Sequence, residues 1–405
     1  MTSSAGDTLL VAGNDFVSRR IVVISDFQDG QWSGNGVVSP EAFREQWLGG
    51  SRGHFPTVIQ TRDAIEVDGG YIERLPLAVL KSGLVDCAEV WTHWRGDRPP
   101  SDWTAVSPFL RRRAFRMNGP EAPFKSNDMV GHIEAFGPPA ILCVWGLGVG
   151  EDVLSACRAS FKIYNSIDAP AMRIPFEASR HFDLVLTGAE WQSDEVRSRH
   201  PDMLTSVMPI GPEFASELTF KPLGLPKLYD VIYVAAAQPY KRHDILFASL
   251  AKLPRSLKAL CVCGYGEMIG DLHRQAQELG IDVDFVDPPG VSFSEVNRLM
   301  NQARMGVVCG VDDGAPAILT EYMLAGIPVL ANSSLSCGLQ YITQQTGRTA
   351  SADDFHAGII DMLGQLNTFR PRDVALANWT WQHSMQKLKN LIETHSNFFN
   401  SAQER

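Results

Sequence analysis

The chain has 405 residues, 44% of them hydrophobic, and a formal net charge of −10 at pH 7. This length suffices for two domains with complete cores, and no stretch approaches the roughly 20 apolar residues of a membrane span. The acidic balance argues against a general nucleic-acid-binding protein, which needs a basic surface. The first residues lack a secretory signal pattern, so we expect a cytoplasmic protein, with peripheral membrane contact left open.

Short apolar runs alternate with amphipathic helical stretches along the chain. The first predicted strands are residues 20–25, 140–146, 161–167, 183–188 and 206–211. A second series follows at residues 229–237, 257–264, 281–287, 305–310 and 327–332. Such alternation predicts parallel sheets that helices cover on both faces.

A proline-containing stretch without sustained periodicity, residues 212–230, separates the two series. This composition is typical of an interdomain linker. We therefore expect an α/β protein with two doubly wound Rossmann-like domains, residues 1–215 and 216–380, that face a central cleft. The tail, residues 381–405, has apolar residues at helical spacing and predicts a final helix.

The seven cysteines form no zinc pattern. Cys261 and Cys263 share one face of a predicted strand, but no matching Cys or His pair follows at zinc spacing. We expect buried free thiols and no metal site.

Residues 312–334, with the sequence DDGAPAILTEYMLAGIPVLANSS, combine a turn, a predicted helix and a short strand. Ligands of parallel sheets bind where strands end and helices begin, and free N–H groups around Ala317 and Ile318 suit a phosphate. Asp313 and Glu321 add carboxylates, each able to accept two hydrogen bonds from a diol. This combination is typical of a nucleotide-sugar site. The alternative is that Asp313 is a plain turn residue and Glu321 a solvated helix residue.

Several segments together resemble the GT-B-fold glycosyltransferases, especially the retaining glycosyltransferase family 4 (glycosyltransferase group 1). That family carries Glu, seven residues and Glu before an "AMACGxPVVA"-like run, and this chain has Asp313, seven residues, Glu321 and YMLAGIPVLA. Further matches in the same order are YVAAAQPYKRHDILFASLAKL, CVCGYGEM, GRTA and WTWQHSMQKL. The resemblance implies the GT-B fold, with the C-terminal helix packing back on the first domain.

The resemblance also implies an activity. A sugar would move from a nucleotide-sugar donor to a saccharide, lipid-linked or other hydroxyl acceptor, with retention, in polysaccharide or glycoconjugate synthesis. The leaving diphosphate would assist the incoming hydroxyl, and neither a cofactor nor a metal would be needed.

Specific residues follow from the same resemblance. Glu321 would bind the ribose hydroxyls, Asp313 the donor sugar, and Lys241 the diphosphate. Arg242 is a candidate second cation, because the family's arginine falls at Ala236. Backbone contacts with the donor are implied at Gly34, Gly36, Gly264, Gly266, Gly314, Ala315, Ala317 and Ile318.

The acceptor side is predicted in the first domain, at Trp145 and Asp168. A histidine frequent in the family is replaced there by Ile167 and Asp168. The arginine-rich run FLRRRAFRM, residues 109–117, is either a solvated face or a contact for anionic groups through Arg111 and Arg112.

Three alternatives stay open. Gly146, Gly148 and Gly150 resemble a dinucleotide fingerprint, although the third glycine comes one place too early for GxGxxG. A sugar-nucleotide epimerase would use the same donor pocket without an acceptor. A catalytically silent binding or scaffold protein would fit the departures at Ala236 and Asp313.

Overall fold

The structure is a computed structural model that describes residues 19–29, 65–67, 71–95 and 110–395. Gly34 and Gly36 lie outside these residues, and so does the side chain of Arg111. The described chain forms two sheets, of seven and six strands, whose strand pairs are all parallel.

The first sheet has the strand order β3-β2-β1-β4-β5-β6-β7. Its strands are β1 (Arg20–Asp29), β2 (Cys87–Trp94), β3 (Leu110–Arg116), β4 (Ile141–Trp145), β5 (Phe161–Asn165), β6 (Leu184–Thr187) and β7 (Leu204–Val207). Ile21 and Val23 of β1 enter the core on one face, whereas Val22 and Ile24 enter the core on the other. Burial on both faces explains the unbroken apolar run.

The helices of this domain flank its sheet. They are α1 (Tyr71–Lys81), α2 (Asn127–Phe136), α3 (Glu151–Ala156), α4 (Phe176–Ser179), α5 (Glu190–Arg199) and α6 (Ile210–Glu213). The prediction of a strand over residues 206–211 is wrong at its end, because β7 stops at Val207 and Ile210 begins α6. A proline at position 209, which cannot donate to a strand ladder, explains this stop.

The second sheet has the order β10-β9-β8-β11-β12-β13. Its strands are β8 (Tyr229–Val234), β9 (Ala259–Val262), β10 (Val283–Val286), β11 (Ala303–Val308), β12 (Val329–Asn332) and β13 (Gly347–Ala350). Around it lie α7 (His243–Leu250), α8 (Ile269–Leu279), α9 (Phe293–Asn301), α10 (Ile318–Leu324), α11 (Phe355–Gly364) and α12 (Pro371–Asn378). None of the described helices combines the length and apolar character needed to cross a membrane.

Both sheets have a topological switch point at a central strand. β1 lies between β2 and β4, and β8 lies between β9 and β11. Connections leave such a strand toward opposite sides and open a crevice at its carboxyl end, where ligands bind in α/β proteins. The two switch points therefore define where a site is expected.

Two segments join the domains. After α6, the segment that leads to β8 is held by Asn301, whose side chain accepts from the Leu223 N–H at 2.6 Å and donates to the Lys221 carbonyl at 2.9 Å. The last helix, α13 (Trp381–His395), returns to the first domain and contacts α1. Its residues Met385, Leu388 and Ile392 belong to the same core cluster as Ile21 of β1.

Candidate functional site between the two sheets

A cavity of about 430 Å³ lies between the carboxyl ends of the two sheets. This volume is in the range of small-molecule sites. The first domain lines it with Ser25, Asp26, Glu73, Arg74, Trp145, Ile167 and Asp168. The second domain contributes two sets: Tyr240, Lys241, Gly264, Tyr265, Asp313, Pro316, Ala317, Ile318 and Glu321, and the apolar Val262, Val291, Phe293 and Val296.

Lys241 and Asp313 meet at the wall of this cavity. Lys241 ends a 3₁₀ turn (Pro239–Lys241) that follows β8, and its ammonium forms an ion pair with the Asp313 carboxylate. Only 14% and 10% of the two side chains are exposed. Burial raises the pKa of Asp313, and the nearby Lys241 charge opposes this rise. The pair places a cation where β8 and the loop after β11 converge.

Glu321 lies in α10 and is also buried, with 6% of its surface exposed. Its Oε1 accepts a hydrogen bond from the guanidinium of Arg74, which belongs to α1 of the first domain. Arg74 also donates to the Gly211 carbonyl at 2.6 Å. Sequence reasoning missed Arg74. Its one visible signal is a pair of charges, Glu73 and Arg74, inside an otherwise apolar helix.

Helix α10 begins after Pro316, because Ala317 caps it and Ile318 is its first residue. Pro316 instead closes a turn through its carbonyl, which accepts from the Leu319 N–H at 3.2 Å. The first-turn residues Ala317 and Ile318 nevertheless line the cavity.

On the first-domain side, Asp26 lies in the carboxyl-terminal half of β1. Its carboxylate accepts from the Leu147 N–H at 3.3 Å. Burial raises the pKa of Asp26; the hydrogen bond from Leu147 opposes this rise, and the charge of Asp168 adds to it. A Cβ at Gly146 would lie 2.7 Å from the Asp26 carboxyl carbon, so glycine is required there.

Asp168 lies at the junction of the domains. Its carboxylate pairs with Arg173 at 3.0 Å. The adjacent Ile167 carbonyl packs directly on Gly314, where a Cβ would lie 2.6 Å from the carbonyl carbon and closer still to the oxygen. Trp191 donates across the same junction to the Ser336 carbonyl at 2.7 Å, and Gln340 donates to the Gly188 carbonyl at 2.8 Å. The two domains are therefore in contact beside the cavity.

Several predicted site residues lie elsewhere. Arg242 points away and pairs with Asp244 at 2.8 Å on the surface, so it does not replace the arginine missing at Ala236. Gly266 does not line the cavity, but its φ of +128° and its contact with the Ala237 backbone require glycine. Ala315 is buried against Gly188 at the domain junction.

The arginine-rich run is strand β3, and its expected role as a surface for anions is wrong for Arg112. Arg112 is 9% exposed, and its guanidinium pairs with Glu73 at 3.0 Å. Burial lowers the pKa of Arg112 to about 10 although the Glu73 carboxylate raises it. Arg113 pairs across the sheet with Glu89 at 2.8 Å. Arg112 and Arg113 thus neutralise two buried carboxylates.

The glycine turn at residues 146–150 does not form an open phosphate cradle. Asp26 packs against Gly146, and the Ile174 side chain would lie 2.8 Å from a Cβ at Gly148. A carboxylate at the turn repels phosphate, which weakens the dinucleotide alternative. The cysteines in the described chain are free, and six of the seven are buried.

The cavity offers three chemically distinct surfaces. Its apolar wall suits a planar ring, and Tyr240 and Tyr265 stand beside it with 40% and 39% exposure. Lys241 suits an anion. The carboxylates Glu321, Asp313, Asp26 and Asp168 suit hydroxyl groups.

Comparison with known proteins shows a related family over part of the chain and a shared fold. Residues 216–365 match the family model described as glycosyl transferases group 1. The chain has the GT-B fold. No curated protein sequence matches the chain.

Solved structures share this GT-B fold at low identity. Sucrose-phosphate synthase from Thermosynechococcus elongatus is 16% identical with a TM-score of 0.62, and the match covers 93% of this chain and 100% of that one. Anabaena HepE in complex with UDP and glucose is 12% identical with a TM-score of 0.62 and the same coverage. The pneumococcal O-GlcNAc transferase GtfA, in complex with UDP and GlcNAc, is 11% identical with a TM-score of 0.55, and the match covers 65% of this chain. This chain spans 59% of the length of GtfA.

Proposed function

We propose that the protein transfers a sugar from a nucleoside diphosphate sugar to an acceptor hydroxyl, with retention of configuration. The observation that carries the proposal is the meeting of Lys241, Asp313 and Glu321 at one cavity between the sheets. A cation beside two carboxylates and an apolar wall matches the three parts of such a donor: diphosphate, hydroxyl groups and base. UDP is present in the HepE and GtfA complexes, which makes it the first nucleotide to test.

Each group of the donor site has a proposed role. The base lies on the apolar wall beside Val291 and Phe293, and the ribose hydroxyls donate to Glu321. Lys241, with the amides near Ala317, stabilises the negative charge that grows on the leaving diphosphate. This ammonium takes the role that a metal ion plays in other transferases, so we propose transfer without a metal.

The acceptor is proposed to enter from the first domain, toward Asp26 and Asp168. The bond from the sugar C1 to the diphosphate oxygen breaks, and a bond to the acceptor oxygen forms on the same face. The acceptor proton passes to the leaving diphosphate. Carboxylates at this wall favour an acceptor rich in hydroxyl groups, such as a saccharide, over an anionic one.

The test is calorimetric titration of the protein with UDP, GDP, CDP and ADP, together with a Glu321→Ala variant. One nucleotide should bind, and the variant should lose about 1–3 kcal/mol of binding free energy, the value of a hydrogen bond to a charged group. Glu278→Ala is a matched control, because Glu278 is an exposed residue of α8 and does not line the cavity. Absence of binding by all four nucleotides would refute the proposal and favour a scaffold protein.

A further inference from the structure

The Arg74–Glu321 pair is the one place where a first-domain side chain reaches a proposed donor-binding carboxylate within the described residues. The two residues are 247 positions apart, and 3% and 8% of their side chains are exposed. Two buried charges lose their hydration, so this arrangement persists only because each compensates the other.

Arg74 is held by more than its carboxylate partner. Its Nη1 donates to the Gly211 carbonyl of α6 at 2.6 Å, and its guanidinium carbon lies 6.0 Å from the ring centre of Phe220. A planar guanidinium fixed at several points has few alternative orientations. It therefore fixes the orientation of the carboxylate that it holds.

Glu321 has a second oxygen. In the ranges that the structure covers, Oε1 accepts from Arg74, whereas no hydrogen bond reaches Oε2. Because Glu321 lines the cavity, Oε2 is the oxygen left for a ligand hydroxyl. Without the guanidinium, the Glu321 carboxylate would be free to rotate toward water, and this change would lower its value as an acceptor.

We infer that Arg74 is a positioning residue for nucleotide recognition: it holds the Glu321 carboxylate in the orientation in which this carboxylate accepts hydrogen bonds from the ribose hydroxyls of the donor. Ribose recognition, which we propose at Glu321 in the second domain, thereby depends on the first domain. This inference rests on the proposed function, since it assumes that Glu321 binds ribose.

The experiment compares calorimetric affinities for UDP and 2′,3′-dideoxy-UDP. Wild-type protein should bind UDP at least about 10-fold more tightly, because the dideoxy compound leaves a charged acceptor unpaired. Arg74→Gln should reduce this ratio to nearly one. If Arg74 only stabilised the fold, its replacement would weaken the binding of both nucleotides equally and leave the affinity ratio unchanged.

Arg372→Gln is the matched control. Arg372 donates to the Phe220 carbonyl at 3.0 Å and to the Leu324 carbonyl at the end of α10, but it does not contact Glu321. This variant should lose stability and keep the wild-type ratio. If it lowers the ratio as much as Arg74→Gln does, the positioning role of Arg74 is refuted.

A double variant provides a control in case Arg74→Gln alone fails to fold. Arg74→Gln alone leaves a buried carboxylate without its cation, whereas Arg74→Gln with Glu321→Gln removes both charges. In the Glu321→Gln background, the change at Arg74 should alter the ratio no further. Arg74→Lys keeps the charge but loses the fork geometry, and it should give an intermediate ratio.

The outcomes separate the two proposals. If no nucleoside diphosphate binds, or if Glu321→Gln keeps the full ratio, the proposed function or its ribose assignment fails. If Glu321→Gln lowers the ratio while Arg74→Gln and Arg74→Lys keep it, only the inference about Arg74 is overturned.

Discussion

Replacing Gly314 with alanine tests whether the contact between the domains matters for catalysis. A Cβ at this position would lie 2.6 Å from the Ile167 carbonyl carbon, whereas ordinary van der Waals contact begins at 3.4 Å. The difference, 3.4 minus 2.6, is 0.8 Å. The Ile167 carbonyl oxygen lies closer still to the added Cβ and therefore requires a larger shift. The backbone of both loops is involved, so no flexible side chain can absorb the shift. The domains must therefore separate by about 1 Å at the edge of the cavity, a displacement that can lower turnover about 100-fold.

The assay is turnover of the sugar nucleotide identified by titration, with thermal unfolding as the measure of folding. Gly270→Ala is the matched control: Gly270 lies in α8, and a Cβ there would meet nothing within 4 Å. This control should keep its activity and gain up to about 1 kcal/mol of stability, because alanine favours the helix. Unchanged turnover in a folded Gly314→Ala protein would show that the contact with Ile167 is not required.

Four further predictions follow from the described contacts. Lys241→Met should weaken UDP binding by about 1.5–3 kcal/mol while uridine binding stays unchanged, because only UDP carries the diphosphate; equal losses for both would exclude the assigned role. Sugar transfer should continue in EDTA, and a loss restored by added Mg²⁺ would contradict the proposed metal independence. Because burial raises the pKa of Asp26, its contribution to the free energy of unfolding is present at low pH and is lost as pH rises through the pKa in the folded protein. Asp26→Asn should remove this pH-dependent decrease in the free energy of unfolding, measured by urea denaturation across the acidic range. If the variant keeps the pH profile of the wild type, this role of Asp26 is refuted. Asn301→Ala should cost about 1–3 kcal/mol of stability, whereas Asn378→Ala, which removes one exposed hydrogen bond to Val374, should cost little.

The fold was predictable where burial leaves a local signal. Central strands such as β1 and β8 are covered on both faces, and their apolar runs showed this directly. The strands β2 and β3 were missed, and β3, at the edge of the sheet, is rich in arginine. Arg112 and Arg113 are paired there with Glu73 and Glu89, which belong to other elements. Such charge compensation becomes visible only when the topology brings the elements together.

The candidate site likewise contains residues that local sequence predicts and residues that it does not. Lys241, Asp313 and Glu321 lie in local motifs, and the structure brings all three to the cavity. Arg74 has no motif, and its partner is 247 residues away. Arg242 was predicted as a second cation because it is adjacent to Lys241 in the sequence. In the structure its backbone φ is +52°, and its side chain pairs with Asp244 instead. Local sequence cannot report this orientation.

Helix α13 has a consequence for how the protein is made. Its residues Met385, Leu388 and Ile392 complete the apolar core around the first sheet, yet they leave the ribosome only after the whole second domain. The first domain therefore cannot reach its final packing while the chain is being synthesised, unlike domains that fold one after another from the N-terminus. Until α13 has been synthesised, the nascent first domain exposes the apolar surface that Met385, Leu388 and Ile392 cover in the folded protein.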